Sequence, residues 1–164
     1  MFRKRVELSF LLLIAIALGV LIYNSYKSYV FKNSEISLEH QKAIERKERE
    51  ILFLMRENFG YAFKFPLIVT DKFKGRVYGL TTYKDGEIAI YLNKKVMQES
   101  MDYIIDSVIA HEYAHALMFK SGYLHVKEDG HSELWRETCV KLGGKDCRRY
   151  VDREEIILSK MPFQ

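Results

Sequence analysis

The pattern of hydrophobic and polar positions separates an apolar N-terminal segment from a longer amphipathic region. Residues 8–23 contain no charged side chain, and Ser9 is the polar interruption among them. A membrane-spanning helix typically uses about 20 apolar residues, and flanking side chains can reach the interface when the segment is slightly shorter. We therefore predict a transmembrane signal anchor at residues 1–26, a linker at 27–34, and a folded domain at 35–164.

Two alternatives to an anchor are a cleaved signal peptide and a buried core helix. The basic start fits a signal peptide, but no small-x-small cleavage site follows Ile22. Arg, Lys and Arg at residues 3–5 precede the apolar segment, whereas Lys27 and Lys32 follow it with Glu35 nearby. This excess of positive charge favours a cytoplasmic N-terminus, so the folded domain is predicted to lie outside the cytoplasm.

The remaining pattern predicts an α+β fold with a short antiparallel β-sheet. We expect helices at 35–58, 101–119 and 132–142, strands at 67–70, 76–83 and 87–92, and a further short helix or strand at 154–158. The Asp85-Gly86 pair between the last two strands is a strong hairpin signal. Ile88, Ile90 and Leu92 alternate with Ala89 and Tyr91, which indicates a sheet with unequal faces.

The helix predicted at 101–119 carries the sequence His-Glu-Tyr-Ala-His at residues 111–115. Side chains at positions i and i+4 of a helix lie on one face, so His111 and His115 can reach the same metal ion. Glu112 lies beside these ligands, where a carboxylate could deprotonate a water molecule. The pattern is typical of zinc hydrolases, in which the glutamate is the general base.

A catalytic zinc ion needs a third protein ligand and an open fourth position. The candidates are His125, Glu128, Asp129, His131 and Glu133. We favour His131, because it begins the next predicted helix and Trp135, one turn later, would pack behind it. Glu133 and His125 remain open as alternatives for this ligand.

Several other side chains have weaker assignments. Tyr123 and His125 are candidate donors to an oxyanion, and Glu137 is a candidate partner for a ligand ring. Cys139 and Cys147 are either two separate thiols or one short disulfide, depending on the compartment.

The charge pattern does not indicate a nucleic-acid partner. The chain has 26 basic and 22 acidic residues, giving a net charge of +4. The basic residues at 3–5, with Glu7, account for two of these charges, so the rest of the chain is nearly balanced. A dedicated nucleic-acid binder would carry a clearly basic surface.

These motifs together resemble the SprT-like zinc metallopeptidases, in which HExxH is followed by H-G-x-x-F/W and a Leu-Gly pair. This chain has HEYAH, then His-Ser-Glu-Leu-Trp at 131–135, then Leu-Gly at 142–143, and Gly79 and the stretch 86–93 resemble the preceding sheet. The resemblance covers about residues 40–145. Ser132 replaces the usual glycine, no four-cysteine zinc ribbon follows, and the membrane segment is not typical of the family.

The resemblance implies a zincin-like SprT-like metallopeptidase domain within 35–164, acting on a protein or peptide substrate. It implies Zn²⁺ held by His111, His115 and His131, with Glu112 as the catalytic base. The action on DNA-crosslinked proteins known for some relatives is not carried over. Two alternatives remain: a non-catalytic membrane-anchored metal-binding interaction module, and a zinc hydrolase of a non-peptide cell-wall amide. A strand edge exposed beside the metal would favour a peptidase.

Overall fold

The computed structural model describes residues 2–73, 77–123 and 130–148, which form an α+β structure. The helices are α1 (Phe2–Asn33), α2 (Leu38–Phe59), α3 (Lys94–Tyr103), α4 (Ile109–Lys120) and α5 (Glu133–Lys141), and the strands are β1 (Leu67–Thr70), β2 (Gly79–Lys84) and β3 (Glu87–Asn93). The chain divides into two compact units, Met1–Ile36 and Ser37–Gln164. The element predicted at 154–158 lies outside the described residues.

Helix α1 makes up most of the first unit. Arg3–Phe31 is long and apolar enough to cross a membrane: an 18-residue stretch of it has a mean hydropathy of 2.5 and is not buried, although a signal sequence passes the same test. Residues 27–33, predicted as a linker, are helical instead. They contain no Gly or Pro to end the helix, so it continues beyond the apolar segment.

Helix α2 begins the second unit and agrees with the helix predicted at 35–58. Ser37 caps its start, and Gly60, with φ of 76°, ends it in the left-handed conformation that glycine adopts readily. Ile44, Ile51 and Met55 are buried. Their helical spacing therefore forms the apolar face that the sequence predicted.

The sheet has the strand order β1-β3-β2. Strands β2 and β3 form the predicted antiparallel hairpin, with Asp85 and Gly86 at φ of 53° and 86° in the turn. Ile88, Ile90 and Leu92 of β3 are buried, whereas Ala89 and Tyr91 are half-buried. The prediction of unequal faces is therefore confirmed.

Strand β1 pairs with β3 in parallel, so the prediction of a wholly antiparallel sheet was wrong for this strand. Thr70 at the end of β1 lies beside Asn93, and Gly79 at the start of β2 lies beside Leu92. The end of β1 and the start of β2 therefore lie at the same end of the sheet, and β3 lies between the two strands. Because β2 and β3 are antiparallel, β1 and β3 run in the same direction.

The helical region before the histidines is longer than predicted and is interrupted. Asn93 caps α3, and a π-helical turn, Ile104–Val108, separates α3 from α4. Such turns interrupt the regular helical ladder and occur frequently at functional sites. In α4, Ala110 and Ala114 are fully buried. Small side chains at these positions let the helix lie close to its neighbours.

Cys139 and Cys147 form a disulfide, so the alternative of two separate thiols was wrong. The bond closes the turn after α5 around Gly144, where a Cβ atom would lie 2.7 and 2.8 Å from the two sulfur atoms. Within this turn, the Lys145 N–H donates to the carbonyl oxygen of Asp106 at 3.0 Å. The end of α5 is thereby held against the π-helical turn that precedes α4.

Candidate metal centre

Three histidine side chains converge between α4 and the start of α5. The Nε2 atom of His115 lies 3.3 Å from that of His111 and 3.2 Å from that of His131. The Nε2 atoms of His111 and His131 are 3.2 Å apart. The two helical histidines owe their approach to the i, i+4 spacing, whereas His131 is brought in by the chain that returns to α5.

These distances fit a tetrahedral metal ion. Zinc–nitrogen bonds of about 2.0–2.1 Å place two ligand atoms of a tetrahedron about 3.3–3.4 Å apart. The three Nε2 atoms form a triangle of nearly this size. The three residues could therefore hold one metal ion and leave its fourth position open.

The surroundings of the three rings favour their neutral form. Burial, followed by repulsion from the neighbouring rings, lowers the pKa of His111 to about 4 and that of His115 to about 3. Burial also lowers the pKa of His131. A neutral imidazole is the form that binds a metal, so protons compete little with a cation at neutral pH.

Trp135 forms the wall behind the three histidines. Its ring is stacked on His115 with centroids 5.0 Å apart, and it meets His111 and His131 edge-on at 4.6 and 4.5 Å. The indole is only 1% exposed. Ser132 accepts a hydrogen bond from the Trp135 N–H and so caps α5. The expected packing of Trp135 behind His131 is confirmed.

Glu112 is buried beside the cluster and is held by β2. The Thr81 hydroxyl lies 2.7 Å from the Glu112 Oε2 atom and 2.9 Å from its main-chain oxygen, and it can donate to either. Burial raises the pKa of the Glu112 carboxyl to about 7, although hydrogen bonding from Thr81 opposes this rise. The sequence pattern did not identify Thr81, because 31 residues separate it from Glu112.

Gly79 permits the close approach of β2 to α4. A Cβ atom at this position would lie 2.7 Å from the Glu112 Oε1 atom and 2.9 Å from the Val108 Cγ1 atom. Contacts this short require one of the neighbours to move. Gly79 is thus required here by space and not by an unusual backbone conformation.

We expect Gly79→Ala to destabilise the folded domain. Overpacking in a close contact typically costs about 1–3 kcal/mol, and this contact involves both a helix and the buried Glu112 carboxylate. The free energy of unfolding, measured by urea titration, should fall by that amount. Leu80→Ala, which changes an exposed neighbour in the same strand, is the control. Equal stability of the two variants would contradict the close packing at Gly79.

The sequence model of the SprT-like family matches residues 22–154. The chain belongs to the SprT-like family. No curated protein and no solved structure matches the chain. The matched range includes α2, the sheet, and both segments that carry the three histidines.

In this SprT-like chain, the other candidate side chains are not brought to the histidine cluster in the part that the structure describes. Glu133 is exposed on α5 and forms an ion pair with Arg136. Glu137 is also exposed on α5, and Tyr123 is exposed just after α4. The remaining candidates, His125, Glu128 and Asp129, lie outside the described residues.

Proposed function

We propose that this SprT-like protein is a membrane-anchored zinc metallopeptidase. His111, His115 and His131 hold Zn²⁺, and Glu112 is the general base. The observation that carries the proposal is the triangle of imidazole nitrogens beside a buried carboxylate, at the edge of a β-sheet. Its substrate is a protein or peptide, and no nucleic-acid partner is expected.

The position of β2 supports a peptide substrate. In the described part of the chain, β2 is an edge strand whose one neighbour is β3. The Asn93 N–H donates to the Tyr78 main-chain oxygen at 2.9 Å. Along β2, residues whose backbone groups bond to β3 therefore alternate with residues whose backbone groups point away from it. The backbone groups of Gly79, Thr81 and Tyr83 consequently face away from β3. An extended peptide can pair with such an edge.

The proposed chemistry is hydrolysis of an amide bond. Zn²⁺, when bound, supplies a Lewis acid that acidifies water and polarises the scissile carbonyl. Glu112 accepts a proton from the attacking water and delivers it to the nitrogen of the leaving amine as the C–N bond breaks. The Thr81 hydroxyl lies 2.7 Å from Oε2 of Glu112, and Oε1 lies beside Gly79, so both contacts position the carboxylate.

We expect the full-length protein in detergent to contain one zinc ion per chain and to cleave unfolded polypeptides. Chelation should abolish cleavage, and added zinc should restore it. Zinc is measured by mass spectrometry and cleavage by new peptide ends. A zinc-loaded protein that cleaves cell-wall amides and no polypeptide would instead be a non-peptide hydrolase. A zinc-loaded protein that cleaves neither would be a metal-binding interaction module.

The helix α1 and the disulfide support anchoring with the catalytic domain outside the cytoplasm. Structural disulfides persist in oxidising compartments and are rare in the cytosol. The basic residues at 3–5 favour a cytoplasmic N-terminus. Both features support a location of the folded domain on the outer side of the membrane.

This orientation predicts that alkaline phosphatase fused after Lys32 will be active, because the enzyme needs its own disulfides to fold. A fusion that lacks residues 3–23 is the control and should be inactive. An inactive Lys32 fusion, expressed at the same level as an active reference, would contradict the orientation.

A further inference from the structure

Two aromatic side chains lie in contact beside the proposed active site and have no role in the chemistry described above. The ring centroids of Tyr83 on β2 and Phe119 on α4 are 6.0 Å apart. Phe119 follows His115 by one helical turn, so it extends the face of α4 that carries the histidines. Tyr83 is 45% exposed, so part of its ring is open to a ligand.

Tyr83 is also one of the β2 residues whose backbone groups face away from β3. Thr81 and Tyr83 both contact α4, through Glu112 and Phe119 respectively, so their side chains lie on the same face of the sheet. A peptide paired with this edge places the side chain opposite Tyr83 on that same face. That substrate side chain would contact the Tyr83–Phe119 pair. It belongs to the substrate residue two positions from the one that lies opposite Thr81.

The geometry points to a specificity subsite at Tyr83 and Phe119 that binds a large apolar side chain of the substrate. The inference rests on the proposed peptidase function and adds a preference to it. The substrate class is an extended polypeptide with Leu, Met, Phe or Tyr at one position on one side of the cleaved bond. Thr81 and the Glu112 carboxylate that it contacts mark the place of the bond.

The test uses the zinc-loaded full chain in detergent and a library of peptides from a digested proteome. New peptide ends, identified by mass spectrometry, should show enrichment of large apolar residues at one position. For a matched peptide pair with Phe or Ala at that position, kcat/KM should favour Phe about tenfold or more. Tyr83→Ala and Phe119→Leu should each reduce this ratio while zinc content and thermal stability are retained.

Leu80→Ala is the matched control, because Leu80 is 48% exposed in the same strand and lies on the opposite face. It should leave the Phe-to-Ala ratio unchanged. A ratio that neither Tyr83→Ala nor Phe119→Leu alters would overturn the subsite but not the peptidase. If Tyr83→Ala changes only the oligomeric state, the pair is a contact between copies and the subsite is wrong. Failure of the wild type to cleave any peptide overturns both proposals.

Discussion

Glu112→Gln is expected to retain zinc and to lower kcat/KM for peptide hydrolysis by at least about a hundredfold. The amide has the same shape as the carboxylate but cannot accept the proton of the attacking water. The variant should fold well, because burial already raises the pKa of the carboxyl to about 7 and a neutral amide is less costly to bury than a charge. A quenched-fluorescence peptide measures hydrolysis, and mass spectrometry measures zinc.

Glu137→Gln is the matched control for this change. Glu137 undergoes the same carboxylate-to-amide replacement, but it is exposed on α5. Its hydrolysis rate and zinc content should equal those of the wild type. A Glu112→Gln variant with full zinc and full activity would show that Glu112 is not the base. If Glu112→Gln loses zinc, Glu112 helps to retain the metal. A lower hydrolysis rate would then not show that Glu112 is the base.

The part of the candidate site encoded locally could be predicted from the sequence. His111 and His115 are four residues apart, so in any α-helix their side chains lie on the same face. Trp135 lies in the first turn of α5, and its ring packs against His131 as expected, but His131 precedes the capping residue Ser132 and lies outside the helix. Regular helical geometry carried the prediction for His111 and His115, whereas that for His131 rested on its place before the next helix and on the family resemblance.

The features that sequence reasoning missed depend on contacts between distant segments. Nothing near Thr81 or Gly79 indicates that β2 lies against α4, and only their packing on Glu112 gives these residues a role. The parallel pairing of β1 was missed for the same reason, since strand order is set by the whole sheet. The disulfide between Cys139 and Cys147 depends in addition on compartment, which spacing alone does not specify.

His131→Ala is expected to weaken zinc binding by more than the 10–100-fold that loss of an outer hydrogen-bonding partner costs, because it removes a ligand itself. Only two histidine nitrogens would remain, and they would leave the ion with too few protein ligands for a catalytic site. Peptide hydrolysis should be lost at zinc concentrations that saturate the wild type. The metal-free forms should unfold at similar temperatures, whereas zinc should raise that temperature for the wild type much more than for the variant.

Glu133→Ala is the control that separates the two proposed third ligands. Glu133 is two residues from His131, but it is exposed and paired with Arg136. Zinc affinity, measured by competition with a chromogenic chelator, should therefore be unchanged in Glu133→Ala and strongly reduced in His131→Ala. The reverse result would transfer the third position to Glu133. It would also require α5 to rotate so that Glu133 faces the cluster. In the present orientation His131 points into the cluster and Trp135 contacts all three histidines.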